Sequence, residues 1–511
     1  MIRRFFRTGF IDRRWRHMAL VPLLFFALAV AFRSFSFVAA VIDTDEGLYM
    51  LQAREWLRGG WPLVAVWDMH PVGAPAIFAA VMAIFGDGIW VLRALGAACV
   101  AGTATALFSA VRFTGGPPAL GLAAGGLYIA HSGLLGGLAT NTEILFTPLT
   151  SWAMAIGLRS TVRALEKNQP PSQWDIVLTG LLIGGALAIK PVTFFEGCLA
   201  WLLLVGPAYR AGLMDLRRLG LAALLYAMIC ALPTVIFGLV YFWRGEFDLF
   251  VEGAFLAPLR YAGKRLSFGD SFRFALVAVL SLLWAFLLAL PALLRPRNQH
   301  GPLALLRRFG FLWFLAASAA VIMPGQFYQH YFLIWLPPLS LLAALGARHL
   351  ARMLRPGLVV LGFQLLVGAI ALDAWRVAAL PRLERGIGLG APDPVRRTAE
   401  AVMQEIDPGD AIWVINYHPT VYVLADAALP TRYAFPAHLA GPYYRVTGID
   451  SYAEITRILE SHPRVLVLDR GWWPTIRRRA AVLVEAALEE QYELVATVPE
   501  ERGPVEIWRL R

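Results

Sequence analysis

Acidic and aromatic side chains gather between Val41 and Pro75, directly after the first long apolar run of the chain. The acids of this stretch are Asp43, Asp45, Glu46, Glu55 and Asp68, and His70 and several tryptophans lie among them. A carboxylate beside apolar surface is costly unless it has a partner or a chemical task. A positioned carboxylate can accept the proton of an attacking hydroxyl, so we interpret this stretch as the acidic half of an active site.

Adjacent acids on a helix do not act as a symmetric pair. Asp45 and Glu46 would point about 100° apart, so one can face a cavity while the other caps the helix or binds a sugar. Asp43, Thr44 and Asp45 also fit an ordinary helix cap followed by acids that the helix dipole favours. Capping explains Asp43 best, and both explanations stay open for Asp45.

More polar residues follow at the predicted outer ends of later apolar segments. They are Arg93, Asn141, Thr142, Glu143, Lys190, His330 and Tyr331. Ionisable groups at membrane depth are candidates for lining a cavity, although any single one is more often an ordinary residue at a helix end. His70, His131, His330 and Glu143 have no recognisable metal spacing, so no metal site is assigned; a divalent metal stays possible, and no other cofactor is indicated.

The composition predicts that these residues are carried by a membrane protein. The chain has 511 residues, of which 58% are hydrophobic and 16% charged, and its mean hydropathy is +0.59. Soluble domains carry about 25% charged residues. The net charge of +11 comes from arginine clusters between apolar runs, which indicates membrane topology and not nucleic-acid binding. The three cysteines match no metal spacing.

The apolar runs predict about eleven transmembrane helices, with the N-terminus cytoplasmic and the first helix uncleaved. The predicted spans are roughly 18–41, 89–111, 117–136, 141–158, 176–191, 193–209, 219–243, 273–294, 309–323, 331–347 and 357–377. Lysine and arginine favour the inner loops, as topology requires. The outer loops 41–75 and 244–272 break this bias, so Arg260, Lys264 and Arg265 are candidates for binding an anionic substrate group.

Two helices are predicted in the first outer loop, residues 42–88. One runs from Asp45 to Leu57, with Leu48, Leu51 and Trp56 able to face lipid, and an interfacial helix runs from Ala74 to Phe85. Both would lie along the outer membrane surface and hold the acids at its boundary with water.

A second domain is predicted after the last span. Beyond Leu380 the chain becomes polar, and apparent strands and helices alternate, which is typical of a small α/β domain. It contains no GxGxxG and no P-loop, so no nucleotide site is assigned. Its loop TRYAFPAHLAGPYYR contains four aromatic residues that can contact an acceptor or the membrane. We therefore predict a polytopic α-helical membrane domain, residues 1–377, and an extracytoplasmic soluble α/β domain, residues 378–511.

Several blocks resemble the GT-C glycosyltransferase superfamily. DTDEGLYMLQAREWLRGG, WDMHPVGAPAIFAAVMAIFG and VLRALGA are similar to its first outer loop, with the protein O-mannosyltransferase and lipid A aminoarabinose transferase branches as the most similar. NTEILFTPL, AIKPVTF and QHYFLIWLPPLSLLAA resemble later blocks in the same order, so the resemblance covers roughly residues 40–345. The family loop usually ends close to H-P-P-L, whereas this chain has His70-Pro71-Val72-Gly73, a departure that bears on the sugar contacts.

The resemblance implies a membrane glycosyltransferase of the plasma (inner) membrane that takes a sugar from a polyprenyl-phosphate carrier. Asp45 matches the acid of the family loop, the expected base or substrate-orienting group, and Glu143 matches a second acid near the cavity, with Glu46 as an assistant. The departing lipid phosphate needs cations. The expected substrate-binding residues are Asp68, His70, Arg93, Lys190, Arg260, Lys264, Arg265, His330 and Tyr331. The expected acceptor is a lipid or cell-envelope glycan, with a protein acceptor less favoured.

Two other classes of protein compete with a transferase. A flippase for a lipid-linked sugar would share the outer cations and an apolar cavity, but the sequence shows no inverted repeat or paired half-helices. A membrane scaffold would not explain why acids and cations converge on one face. The partners expected from the sequence are therefore membrane lipids, the sugar donor and its acceptor, and not nucleic acid.

Overall fold

The computed structural model describes residues 20–294, 301–351 and 391–511, together with residues 361, 362, 364–370, 372, 373, 375, 376 and 380. The larger part of the described chain is helical. Its helices are α1 (Val21–Phe32), α2 (Thr44–Leu57), α3 (Gly73–Phe85), α4 (Ile89–Phe113), α5 (Pro118–His131), α6 (Thr142–Lys167), α7 (Gln173–Ile189), α8 (Phe194–Arg210), α9 (Leu216–Trp243), α10 (Phe247–Val251), α11 (Ala257–Gly263), α12 (Phe268–Ser281), α13 (Leu283–Leu293), α14 (Pro302–Ile322) and α15 (Leu336–Ala351). Short 3-10 segments precede α8 (Pro191–Thr193) and α15 (Gln329–Trp335), and a π-helical turn (Glu252–Leu256) joins α10 to α11.

Packing among these helices builds an apolar core around α4 and α6. Helix α4 packs against α1, α5 and α6, and α6 also packs against α7 and α8. Helices α13 and α14 pack against α15, which in turn packs against α5. The core is filled by small and branched side chains such as Ala104, Leu107 and Leu158.

Five described helices are long and apolar enough to cross a membrane. They are Ile89–Phe113, Pro191–Arg210, Leu216–Trp243, Pro302–Ile322 and Gln329–Ala351, and the pair α12 and α13, bent by 81°, would be a sixth span. The chain is therefore an integral membrane protein. The sequence prediction of about eleven spans is not confirmed.

Helix length accounts for three of the predicted spans that do not meet this criterion. Helices α1, α5 and α7 have 12, 14 and 17 residues, and a straight crossing needs about 20. The eleventh predicted span, 357–377, lies largely outside the described residues, as does the predicted domain boundary between 377 and 378.

The C-terminal part of the chain forms an α/β layer. Its elements are α16 (Pro394–Met403), β1 (Ile412–Val414), α17 (Thr420–Leu424), α18 (Pro436–Leu439), α19 (Ser451–Glu460), β2 (Val465–Asp469), α20 (Arg478–Gln491), β3 (Tyr492–Pro499) and β4 (Pro504–Leu510). The four strands have the order β1-β2-β4-β3, with β1 parallel to β2 and the other pairs antiparallel. Strand β2 is buried along its whole length, as an inner strand covered on both faces requires.

The C-terminal layer packs directly on α2. Gly47 allows this close approach, because a Cβ atom at that position would meet the Thr420 hydroxyl at 2.2 Å. The buried guanidinium of Arg54 donates to the carbonyl oxygens of Tyr422, at 2.5 Å, and Ala427, at 3.0 Å. A further hydrogen bond of 2.6 Å joins the Ala40 amide to Asp393, the cap of α16.

This packing corrects one expectation for α2. Leu48 and Leu51 are 2% and 0% exposed and belong to an apolar cluster with Val421 and Tyr422. They face protein and not lipid, because the C-terminal layer covers α2. Trp56 is half-buried, with its ring centroid 5.0 Å from that of Trp61.

Two arginines on α2 offer a test of this contact. We expect Arg54→Met to lower the free energy of unfolding by about 2–3 kcal/mol, because it leaves the carbonyls of Tyr422 and Ala427 unsatisfied and also removes the ion pair with Glu55. Faster hydrogen exchange in Thr420–Leu424 would report the loss locally. Arg58→Met is the matched control, since its pair with Asp426 is exposed and contributes at most about 1 kcal/mol. Equal exchange in the two variants would contradict this account.

Candidate active site

Asp45 lies in the first turn of α2. Asp43 caps this helix, and its carboxylate accepts a hydrogen bond of 3.1 Å from the Asp45 amide. The carboxylate of Asp45 is half-buried and makes no hydrogen bond or ion pair with any residue that the structure describes. It is therefore a positioned acid with its acceptor oxygens available.

The acids around Asp45 are each paired with a basic side chain from another segment or from the same loop. The pairs are Asp43 with His330 (Oδ2 to Nδ1, 3.5 Å), Asp68 with His70 (Oδ2 to Nδ1, 2.9 Å) and Glu143 with Lys190 (Oε1 to Nζ, 2.6 Å). Thr142 and the Met69 amide add hydrogen bonds to Glu143 and Asp68. Each of these acids thus has a basic partner, whereas Asp45 has none among the described residues.

Aromatic rings connect these pairs. The Lys190 ammonium lies 4.4 Å from the ring centroid of Tyr331, and the His330 ring packs edge-on against the same tyrosine at 4.8 Å. The Tyr331 hydroxyl is hydrogen-bonded to that of Tyr261 at 3.2 Å. The ring centroid of Tyr49 lies 6.1 Å from that of His70. The sequence-predicted residues His70, Lys190, His330 and Tyr331 thus lie together around Asp45.

The surroundings make Asp45 more basic than an ordinary aspartate. Burial raises its pKa, and the nearby charge of Asp43 raises it further, while His330 and His70 act in the opposite direction; the result is a pKa of about 6. A carboxyl group with this pKa is ionised near neutral pH and binds a proton more readily than a free aspartate.

The neighbouring acid Asp68 shows the opposite behaviour. Burial by itself would raise its pKa, but the charge and hydrogen bond of His70 outweigh burial and lower it. The pKa of His70 is raised by the same contact, against the effect of its own burial. The pair therefore stays ionised, with the two residues holding each other in place.

Glu46 and Arg93, both predicted as site residues, lie together but apart from this group. They form a buried ion pair, and the other oxygen of Glu46 accepts a hydrogen bond of 2.8 Å from the Thr140 amide. Arg93 also donates to the Ala39 carbonyl at 3.4 Å. The pair thus joins α2 to α4 and to the loop before α6.

The predicted cations Arg260, Lys264 and Arg265 lie on α11 and the segment that follows it. Their contacts differ: Arg260 pairs with Glu252 and donates to the Val446 carbonyl at 2.7 Å, Lys264 donates to the Pro442 carbonyl at 3.3 Å, and Arg265 is exposed. Two of the three therefore contact the C-terminal layer. Arg265 makes no hydrogen bond or ion pair with a described residue and packs along Gly325.

Residues of the C-terminal layer that the sequence does not single out also reach the site. The His418 Nδ1 atom lies 3.3 Å from the hydroxyl of Thr44, the residue before Asp45. The Trp67 amide donates to the Arg432 carbonyl at 2.8 Å, and the Tyr443 and Tyr328 hydroxyls are hydrogen-bonded. Because these partners are distant in sequence, no local motif predicts their contacts. The aromatic loop that contains Tyr443 is the one feature of the sequence that indicates a contact of this layer with the site.

Within the described ranges, no group of three or more histidine, cysteine, aspartate and glutamate residues has the arrangement of a metal site. The carboxylates and imidazoles near Asp45 instead pair with one another or with Lys190.

Comparison with known proteins gives one match to a family model and several matches to solved structures. Residues 69–237 match the family model described as dolichyl-phosphate-mannose-protein mannosyltransferase. A search of curated proteins gives no match.

Solved structures match over nearly the whole chain. ArnT from Cupriavidus metallidurans bound to undecaprenyl phosphate has a TM-score of 0.62 and 17% identity, with 95% of this chain and 97% of that chain covered. The Archaeoglobus fulgidus oligosaccharyltransferase in the apo form has a TM-score of 0.50 and 14% identity, with 91% and 71% covered. Both are GT-C glycosyltransferases, so the chain has the GT-C fold, and the resemblance seen in the sequence is confirmed.

The Glu46–Arg93 pair generates a prediction about stability. Glu46→Gln should lower the free energy of unfolding by about 3–5 kcal/mol, because Arg93 is left as a buried charge without its counter-ion. The double variant Glu46→Gln/Arg93→Met should recover part of this loss, and thermal unfolding of the purified proteins measures both. Asp43→Asn, at a half-buried pair, is the control and should change little. Additive losses in the double variant would show that the two residues are not coupled.

Proposed function

We propose that the protein transfers a sugar from a polyprenyl-phosphate carrier to a hydroxyl group of a lipid or glycan acceptor, with Asp45 as the general base. The observation that carries this proposal is the half-buried Asp45 carboxylate, which has no described partner although the acids around it are paired. The GT-C fold and the structural likeness to an ArnT bound to undecaprenyl phosphate support the choice of donor.

The reaction is a single displacement. The acceptor oxygen attacks the anomeric carbon and Asp45 takes its proton, while the bond from that carbon to the phosphate oxygen breaks and its electron pair leaves with the lipid phosphate. Attack opposite the leaving group inverts the anomeric centre. A pKa of about 6 suits Asp45 to this task, because the carboxylate is free at neutral pH and still basic.

The leaving phosphate needs positive charge more than it needs an acid. Release takes its charge towards −2, since the second pKa of a phosphate is about 6. Exposed Arg265 is the first candidate to bind it, with Lys264 beside it. The backbone supports this placement: Leu266 donates to the Gly325 carbonyl at 3.0 Å, which ties the segment to the turn before Tyr328 and His330.

The paired acids and bases bind the sugar in this proposal and do not take part in proton transfer. Asp68 with His70, Glu143 with Lys190, and His330 with Asp43 offer fixed acceptors and donors for the sugar hydroxyls. Glu46 and Arg93 act through position, because they hold α2 on α4. In the cell the site would face outward, with the C-terminal layer on the same, extracytoplasmic side.

A protein acceptor is the second candidate. The family model that matches residues 69–237 describes enzymes that transfer mannose to protein, which favours testing a polypeptide beside lipid and glycan acceptors.

The first experiment on this proposal replaces the base. Asp45→Asn should reduce transfer from radiolabelled polyprenyl-phosphate sugars, with liposomes and crude envelope acceptors, by about 100- to 10,000-fold. The unfolding midpoint should not fall, because no described contact is lost. Asp87→Asn, at an exposed aspartate outside the group around Asp45, is the matched control and should retain the activity. Wild-type transfer by Asp45→Asn would remove Asp45 from the mechanism, and carrier movement across the bilayer without consumption would indicate a flippase.

The acid limb of the pH profile tests the electrostatics. Because only the ionised carboxylate accepts a proton, kcat/KM should fall to half near pH 6 and then about tenfold per pH unit below it. Asp43→Asn removes a charge that raises the pKa of Asp45, so the acid limb should move to lower pH. An acid limb that stays in place in this variant, or moves upward, would contradict the assignment.

A further inference from the structure

A cleft lies between the first turn of α2 and the C-terminal layer. Its volume is about 350 Å³, at the lower end of the range of about 300–1,000 Å³ that small-molecule sites occupy. Thr44 is the lining residue contributed by α2, and the rest of the wall comes from the loop after β1, from α18 with its flanking residues and from the segment after β2. The cleft is thus built from the C-terminal layer but includes the residue before Asp45.

One carboxylate in this wall is held in a fixed position. Asp469 is 5% exposed, and its Oδ1 atom accepts hydrogen bonds from the amides of Gly471, at 2.8 Å, and Trp472, at 3.2 Å. The side chain of Asn416 donates to the Asp469 carbonyl and accepts from the Asp469 amide, each at 2.8 Å. The second oxygen, Oδ2, makes no hydrogen bond with a described residue, so it can accept one from a ligand.

His418 offers a second polar group in the cleft, beside Thr44. Its Nδ1 atom faces the Thr44 hydroxyl at 3.3 Å, while its Nε2 atom makes no hydrogen bond within the described chain. An imidazole can donate or accept at this position, according to its tautomer. The two available groups, on His418 and Asp469, therefore lie in one wall.

Flat apolar surface completes the cleft. Trp472 is 44% exposed and Phe435 is half-buried, and both line the space together with Pro436 and Ile476. The guanidinium of Arg502 lies 3.9 Å from the ring centroid of Trp472 and covers one of its faces. Aromatic rings of this kind bind flat apolar ligand faces, and the few polar groups between them fix the orientation.

The charges of the lining select among ligand classes. No lysine or arginine belongs to the lining and Asp469 does, so a phosphate or carboxylate group beside Asp469 would be repelled; Arg502 lies over Trp472 but outside the lining. A lipid chain would leave Asp469 and His418 buried without partners, which is unfavourable. A neutral sugar ring satisfies both conditions, because its hydroxyls can bind the polar groups while its C–H face lies on an aromatic ring.

We propose that this cleft binds a neutral saccharide unit of the acceptor and so presents a neighbouring hydroxyl to Asp45. The inference rests on the proposed function for its role in the reaction, but saccharide binding by the C-terminal layer stands by itself. The acceptor is then a glycan or glycolipid with an uncharged sugar at the end that reacts.

The test measures binding without the reaction. The full-length protein in nanodiscs, carrying a fluorescent label, is applied to an array of oligosaccharides built from neutral hexoses, N-acetylhexosamines and uronic acids. We expect binding to neutral sugars over uronic acids, and a loss of about tenfold in Trp472→Ala. Trp473→Ala is the matched control, because this neighbouring tryptophan does not line the cleft.

The outcomes separate this inference from the proposed function. Absence of binding to every neutral sugar, binding that survives Trp472→Ala, or an equal loss in Trp473→Ala would overturn the saccharide site. Thermal unfolding of both variants checks that each remains folded, and Asp469→Asn supplies a second variant that alters one acceptor oxygen. Donor consumption by the wild type is measured separately. Its absence would contradict the proposed transferase activity but not the saccharide binding measured on the array.

Discussion

Repulsion among carboxylates is the constraint on which the site depends. The charges of Asp43 and Asp68 act on Asp45, and all three act on Tyr49 together with Glu143, in a partly desolvated space where charges interact more strongly than in water. The protein pairs Asp43, Asp68 and Glu143 with His330, His70 and Lys190 and leaves Asp45 without a described partner. Because these bases come from the loop before α3, the end of α7 and the 3-10 segment before α15, three distant parts of the chain must meet before the acids can be tolerated together.

The C-terminal layer is a structural part of this site and not an appendage. It covers Leu48 and Leu51, receives the hydrogen bonds of Arg54 through its backbone carbonyls, and brings His418 next to Thr44. Main-chain carbonyls are useful acceptors here, because they are fixed by the fold and leave no second charge to compensate. The membrane helices therefore supply one side of the site, and the layer supplies another.

Local rules explain what the sequence predicted well. The cap at Asp43, the two helices of the first loop and the alternation of strands and helices after residue 390 follow from neighbouring residues and periodicity. The contacts between distant residues do not follow from local rules. Nothing in the sequence near Glu46 reveals that it pairs with Arg93 on α4, and nothing near Leu48 reveals the residues that cover it. Apolar composition does not report helix length, so a span predicted from it need not correspond to a helix long enough for a straight crossing, as α1 and α5 show.

The position of the covering layer in the chain has a consequence for biogenesis. Thr420, Tyr422 and Ala427, which close over α2, lie far after α2 in the chain and are translated long after it. Until then the apolar face of α2 and the guanidinium of Arg54 have neither of their final partners. The nascent protein must therefore pass through a stage in which its helices are inserted but α2, which carries Asp45, is not yet covered by the C-terminal layer.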